Sequence, residues 1–410
     1  MNAPNALTRP SVPDHVRPES VVDFDLYRDH RFEEEDGLHE GLWRLIQETG
    51  QGIFWTPHNG GHWFITDHEL LFQAAKQPEL FSSTAMTLPP MPADQEPRLI
   101  PLGLDPPVHG AYRLPLMRAF SPDIIKAMEK DIRAFAAELI EGIRPNGRAE
   151  FVEAIAEPMP IMIFMKLMGM PLDRLREFRD WVYDMLSPDN DRRASSYVHV
   201  HAMMEPLIRE REKEPRDDLI SRLVHSEIDG RPVTYDEVQA YCLLLFAAGL
   251  DTVANSLSFG VCLLSRDQEL QARLRANPEL IPEAVEEFLR RYGIVFTPRT
   301  AAKDMHFGGV DICKGERVLL MLPAGNLDPT AFPDPARFDL DREDKAHMTF
   351  NSGPHRCIGS HLARLELRVF YEEWLKRMPR VQIDPDRRVT YRTGLTLALD
   401  KVPIVWDAAA

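Results

Sequence analysis

From Tyr241 to Ser265 the chain carries a single charged residue, Asp251, and no other stretch constrains the fold as strongly. Its length matches a membrane-spanning helix. Its chemistry does not, because Asp251, Thr252, Asn255, Ser256 and Ser258 would then lie in hydrocarbon at a steep cost. The run also opens on Thr234-Tyr-Asp-Glu237, a capping box that marks an ordinary helix start in water. The reading is therefore a buried central helix over roughly 234–266, about 48 Å long at the usual helical rise. The rest of the chain has to wrap around it, and no membrane association is expected.

Around this helix the pattern is mostly helical from about 108 to 290, with breaks at the polar runs 187–196 and 213–218. Residues 52–70 read as short strands joined by Asn59-Gly60-Gly61, a hairpin signal. Residues 86–101 hold too much proline for a helix and read as a loop. After Arg291 short strands alternate with proline-rich connections, a helix follows Cys357, and the tail reads as strand. The fold class is mainly α with a minor β part (α+β). The 410 residues suffice for one large core, so 21–410 read as a single domain and the polar, proline-rich 1–20 as a poorly ordered arm rather than a secretory leader. The methionines between Met159 and Met170 read as adaptable core packing.

A net charge of −16 argues against a nucleic-acid partner, which needs a basic face. Cys242, Cys262, Cys313 and Cys357 lie far apart with no CxxC pair, which fits a reducing cytoplasm better than a disulfide framework or a zinc site.

The most informative segment is Phe350-Asn-Ser-Gly353-Pro-His-Arg-Cys357-Ile-Gly359, where a loop feeds a helix from Ser360 to about Lys376. A cysteine at a helix N-terminus faces free N–H groups and the positive end of the dipole, which favours the thiolate a metal needs. Gly353 and Gly359 permit positive φ and close backbone approach to a flat macrocycle, with Phe350 against that ring. Two alternatives stand beside this reading. Cys357 is a buried small hydrophobe, the usual fate of a free cysteine, or a nucleophile paired with His355, for which no orienting carboxylate stands out. In mid-helix, Asp251 and Thr252 need hydrogen bonds to be tolerated, and the plain reading of Thr252 is a bond back to the preceding turn.

The cysteine segment resembles the haem-binding loop of cytochromes P450. Other landmarks follow in the family's order: Glu287-Phe-Leu-Arg290 resembles its ExxR pair and 332–338, with Arg337, its meander. Shared phrases at 60–63, 249–253 and 403–406 are similar to the camphor hydroxylase subgroup, over nearly the whole chain. The resemblance implies a soluble haem-thiolate monooxygenase with haem b as cofactor and Cys357 as the metal ligand. Asp251 and Thr252 become the proton-delivering pair, which dioxygen activation requires in a dry pocket. His109, Arg113, Arg299 and His355 become the propionate contacts, with Phe350 and Gly359 beside the haem. Glu287, Arg290 and Arg337 become a buried structural network.

By the same matching, Leu99, Leu102, Leu244, Ala247, Ala248, Val295, Leu395 and Thr396 line a substrate pocket, and Pro97 stands where the camphor enzyme has a ketone-binding tyrosine. The substrate implied is a small hydrophobic terpenoid or norisoprenoid, such as a camphor-like or ionone-like ketone, bound largely by shape. Arg113, Lys345 and Arg364 are implied to form a basic face for an acidic [2Fe–2S] ferredoxin, supplied with electrons by an NAD(P)H reductase. A peroxygenase, an isomerase and a haem-based sensor remain the competing functions.

Overall fold

In the computed structural model the central apolar run is helical as two pieces, Tyr235–Gly249 and Thr252–Arg266, with a break at Leu250 and Asp251. The model describes residues 11–32, 37–92, 96–170, 175–185, 187 and 189–408. The capping box at the start is present in full: Thr234 accepts from the Glu237 N–H, and the Glu237 carboxylate accepts from the Thr234 N–H. The membrane alternative fails on burial, since most of this helix is covered by protein. Leu250 packs in one apolar cluster with Phe246, Met165, Met168 and Met204, while Val253 and Leu257 pack in another with Phe370 and Trp374. The break therefore falls where the helix passes between two cores.

Strand and turn readings hold for the same local reasons. Ile53–Thr56 and His62–Ile65 pair antiparallel around Asn59, Gly60 and Gly61, all at positive φ. They extend into a five-stranded sheet through Arg317–Met321, Phe296–Ala301 and Phe81–Ser82, in that order. The described part of 86–101 contains no helix or strand, and residues 93–95 lie outside the described residues. Met159, Met165, Met168 and Met170 are buried, as core packing requires.

Two boundaries differ from the sequence reading. Residues 190–196 are not a break but the first two turns of helix Asn190–Lys213, because Asp189 caps it by accepting from the N–H groups of Asp191 and Arg192. In the expected arm, residues 1–10 lie outside the described residues, but 11–20 are held in place: Val16 is buried and Arg17 donates to the Gly309 carbonyl at 2.6 Å.

The buried charge network is built on Glu287 and Arg290, both fully buried on helix Ile281–Arg291. Arg290 grips Glu287 with two bonds of 2.8 Å and also donates to the carbonyls of Asn326, Pro335 and Arg337. The third member is Arg342 rather than Arg337. Arg342 donates to Glu287 at 3.3 Å and to the carbonyls of Pro333, Asp334 and Arg337. Arg337 itself is exposed and contributes only its backbone, because the meander turns its side chain outward. Arg342→Ala should therefore lower unfolding free energy by about 1.5–3 kcal/mol, and Arg337→Ala by less than about 0.5 kcal/mol. Urea titrations of the two variants separate the roles, and equal losses would contradict this assignment.

Candidate functional site

Cys357 closes its loop by donating its N–H to the Phe350 carbonyl at 2.8 Å, just before helix Ser360–Arg377. Cys357 has accessible surface, and so has Ala248 in the middle of the largely covered central helix. Ala247 and Ile358, the neighbours of these two residues, pack against the same apolar cluster, so the central helix and the cysteine loop share one core. Phe350 lies under the Arg364 guanidinium, 4.5 Å from its ring centre.

Two glycine expectations separate here. Gly353 does have positive φ, but the close approach it allows is to the Ala75 carbonyl, 2.3 Å from where a Cβ would sit. Gly359 has ordinary φ, and its N–H instead bonds to Cys357. Burial pushes the Cys357 thiol up, against the pull of that N–H and of Arg113, Arg364 and Arg356. A bound metal cation would favour the thiolate that this N–H and the three arginines already assist.

The acid–hydroxyl pair occupies the helix break. Thr252 Oγ1 donates to the Ala248 carbonyl at 3.1 Å, one turn back, which satisfies a group the break would leave short of a donor. Asp251 is nearly buried. It accepts from Thr396 Oγ1 at 3.1 Å and lies 3.6 Å from Arg392. A small cleft lined by Glu157, Ile161, Val182, Tyr183, Leu250, Asp251 and Ala254 reaches this carboxylate. Tyr183 donates to Glu157 there, and Arg392 stacks over the Tyr183 ring. Sequence reasoning missed Arg392, since an arginine at the end of the short strand Thr390–Arg392 carries no local signal.

The expected anion-binding residues do converge. The rings of His109 and His355 stand 4.4 Å apart, and His355 Nε2 meets Ser83 Oγ at 3.1 Å. Burial, then Arg299, His109 and Arg113, push His355 down to about 2. Burial lowers Arg299 to about 10 against the pull of Asp105, and burial with Arg113 lowers His109. His109 Nε2, His355 Nδ1 and Arg299 Nη2 are buried with no protein partner. Asp105, which sequence reasoning passed over, is already engaged by Ser82 Oγ and the Ser83 N–H. Arg113 donates to the Arg356 carbonyl and feels the charge of Cys357.

Of the pocket residues, Val295 and Thr396 form a bridge, and Leu395 accepts from the Phe296 N–H, so these three come together. Leu99 and Ala247 pack against the cluster that also holds Ile358, and Leu244 is buried on the same helix as Ala248. Leu102 is half-buried in the turn after Leu99. The Thr396 hydroxyl is also committed to Asp251.

The basic face is smaller than expected. Arg364 is clamped by Glu286 through two bonds of 2.6 and 2.8 Å. Lys345 is largely covered, with Nζ on the Arg342 carbonyl and near Glu283, so it belongs to the meander and not to an open patch. Arg356 beside Cys357, and the apolar Leu114 and Met117 of helix Val108–Ala119, are exposed instead.

The family model for cytochrome P450 matches residues 178–404. The chain belongs to the cytochrome P450 family. It is 32% identical over 401 residues to a probable cytochrome P450 127A1 of Sinorhizobium fredii, covering 96% of this chain and 97% of that one. It is 30% identical to linalool 8-monooxygenase of Pseudomonas putida over 388 residues, 90% of this P450 and 95% of its relative. The solved structures of CYP101J2 and CYP101C1 match with TM-scores of 0.89 and 0.88 at 33% and 34% identity, covering 97% of this chain and all of theirs. The α+β fold and the recognised family agree with these matches.

P450 enzymes carry haem b, and the residues present fit it. Three buried nitrogens without a protein partner, on basic side chains whose like charges oppose one another, are an arrangement that carboxylate groups such as propionates would satisfy. Arg299→Met should therefore lower haem retention by at least about tenfold, a loss of one charge-assisted bond. Competition for haem with apomyoglobin measures it, and unchanged retention would remove Arg299 from the haem contacts.

Proposed function

We propose that this P450 monooxygenase hydroxylates a small, mostly hydrocarbon substrate, a terpenoid or norisoprenoid such as an ionone-like ketone, in the cytoplasm. The overall stoichiometry is one C–H bond and dioxygen, with two electrons and two protons, giving an alcohol and water. Haem bound through Cys357 would supply the activation of dioxygen, with His109, Arg113, Arg299 and His355 at its propionates and Phe350 and Gly359 beside the sulfur.

The observation that carries this reading is the helix break at Asp251 and Thr252, set beside exposed Ala248. Thr252 Oγ1 sits one turn from Ala248, where it can hold a proton or a water without a break in the backbone bonding. Asp251 stands between this hydroxyl and the cleft lined by Glu157 and Tyr183, so its carboxylate can pick up a proton on one side and release it on the other. To do so it has to let go of Thr396 or Arg392, which makes those two the restraint on proton delivery. A peroxygenase, isomerase or sensor would leave the acid–hydroxyl pair without a task.

For the substrate, Leu99, Leu102, Leu244, Ala247, Val295 and Leu395 offer apolar surface, Pro97 offers no side-chain donor, and the Thr396 hydroxyl is taken. Selection then rests on shape, and one methylene more or less shifts affinity by only about 1–3 kcal/mol. The relative named linalool 8-monooxygenase is in keeping with a terpenoid. For electrons, Arg113 and Arg364, which flank Cys357, with exposed Arg356, Leu114 and Met117, support docking of an acidic [2Fe–2S] ferredoxin served by an NAD(P)H reductase.

Two experiments test the proposal. Titration of haem-loaded protein, read by the haem absorbance shift, should show ionone-like ketones binding more tightly than camphor; the reverse order would sink the substrate assignment. Thr252→Ala should keep consuming NAD(P)H while product per electron pair falls about tenfold or more and peroxide rises. Coupling equal to that of the unaltered enzyme would refute the role given to Thr252.

A further inference from the structure

Away from the haem site, the first described segment at the N-terminus meets the turn between strands Val310–Ile312 and Arg317–Met321. His15 on that segment and Cys313 and Glu316 in the turn present an imidazole nitrogen, a thiol sulfur and a carboxylate oxygen, all within 4.8 Å of one another. We propose that His15, Cys313 and Glu316 bind one zinc-class divalent cation, which fastens the N-terminal segment to the turn that leads into the central strand of the main sheet.

The donor spacing is the first support. Zinc holds sulfur at about 2.3 Å and nitrogen or oxygen at about 2.0–2.2 Å, so its ligand atoms sit closer together than the limit seen here. His15 Nε2 already lies 3.1 Å from Glu316 Oε1. Small side-chain rotations about a common centre are enough, and the three groups are half-buried, which leaves a fourth position open to water.

The second support is independent of the first. Glu316 is held in place from behind: its Oε2 accepts from Trp63 Nε1 at 2.9 Å and from the Cys313 N–H at 2.8 Å. Trp63 is buried on strand His62–Ile65, so this anchor is rigid. His15 Nε2 faces both carboxylate oxygens, at 3.1 Å from Oε1 and 3.2 Å from Oε2. A carboxylate fixed by outer hydrogen bonds beside a histidine is what a metal site needs and an ordinary surface ion pair does not.

The surrounding charge agrees. Glu316, Asp304 and Asp311 all act on Cys313, and with burial they hold its thiol up. Such a field opposes a bare thiolate but favours a divalent cation, whose binding would release the thiol proton to solvent. The mixed nitrogen, oxygen and sulfur set selects zinc over magnesium or calcium, which prefer oxygen alone. The site also gives a task to Cys313, which stands outside the haem site.

The test uses the haem-loaded protein stripped with chelator, then dialysed to equilibrium against zinc chloride, with zinc and iron counted by mass spectrometry. The unaltered protein should bind one zinc per haem, and Cys313→Ser and His15→Ala should each weaken that binding by about tenfold or more. Zinc should also slow cleavage after exposed Glu19 by a glutamate-specific protease in the unaltered protein and leave the Cys313→Ser rate unchanged. No stoichiometric zinc, or equal binding by both variants, overturns the site and leaves a His15–Glu316 ion pair. Zinc binding without protection at Glu19 overturns the fastening.

Discussion

The buried pair of Glu287 and Arg290 is the interaction on which the cysteine loop depends. Neither charge is tolerable in the interior unless every donor is used, and Arg290 uses its donors on Glu287 and three carbonyls of the segment 326–337. One of those carbonyls belongs to Asn326, whose side chain then accepts from the Met348 N–H and donates to Thr349 Oγ1. Thr349 in turn donates to Leu289, back on the helix that carries the pair. Phe350 follows directly, and its carbonyl fixes the Cys357 N–H. A single ion pair thus sets the position of the sulfur through a closed circuit of directional bonds.

On the central helix the constraint is a deliberate flaw. A continuous helix from 235 to 266 would spend its carbonyls internally and present only side chains to the haem site. The break at Leu250 and Asp251 instead leaves a carbonyl that Thr252 satisfies with its hydroxyl, and turns Asp251 toward Thr396 and Arg392. Asp251 and Thr252 are thereby placed in an apolar helix with both side chains hydrogen-bonded, and they lie between two cores that hold each half of the helix firmly. Along the other rim the same economy is absent: His109, His355 and Arg299 keep buried donors for an anionic group that the protein itself does not provide.

Local readings from sequence held where a short-range rule decides the outcome. The capping box at Thr234, the hairpin at Asn59-Gly60-Gly61 and the helix after Cys357 each depend on residues within a few positions of one another. The reading of 187–196 as a break failed on a local rule, since Asp189 within that run caps the helix that follows. Other readings failed on the fold: the meander exposed Arg337 while bringing in Arg342, and it turned Lys345 toward Glu283 and a carbonyl. A strand bridge to Val295 also brings the Thr396 hydroxyl to Asp251, a partner that no local pattern announces.

By itself, the sequence determined the chemistry available: a cysteine ahead of a helix, an acid and a hydroxyl in an apolar run, and basic residues at helical spacing. Such features are covalent and local, so no fold is needed to read them. Only the tertiary structure decided their state. Enclosure pushed the Cys357 thiol up, burial together with Arg299, His109 and Arg113 lowered His355, and Arg392 arrived beside Asp251 from the far end of the chain. Burial and through-space charge are properties of neighbours, and neighbours that lie hundreds of residues apart are set by packing.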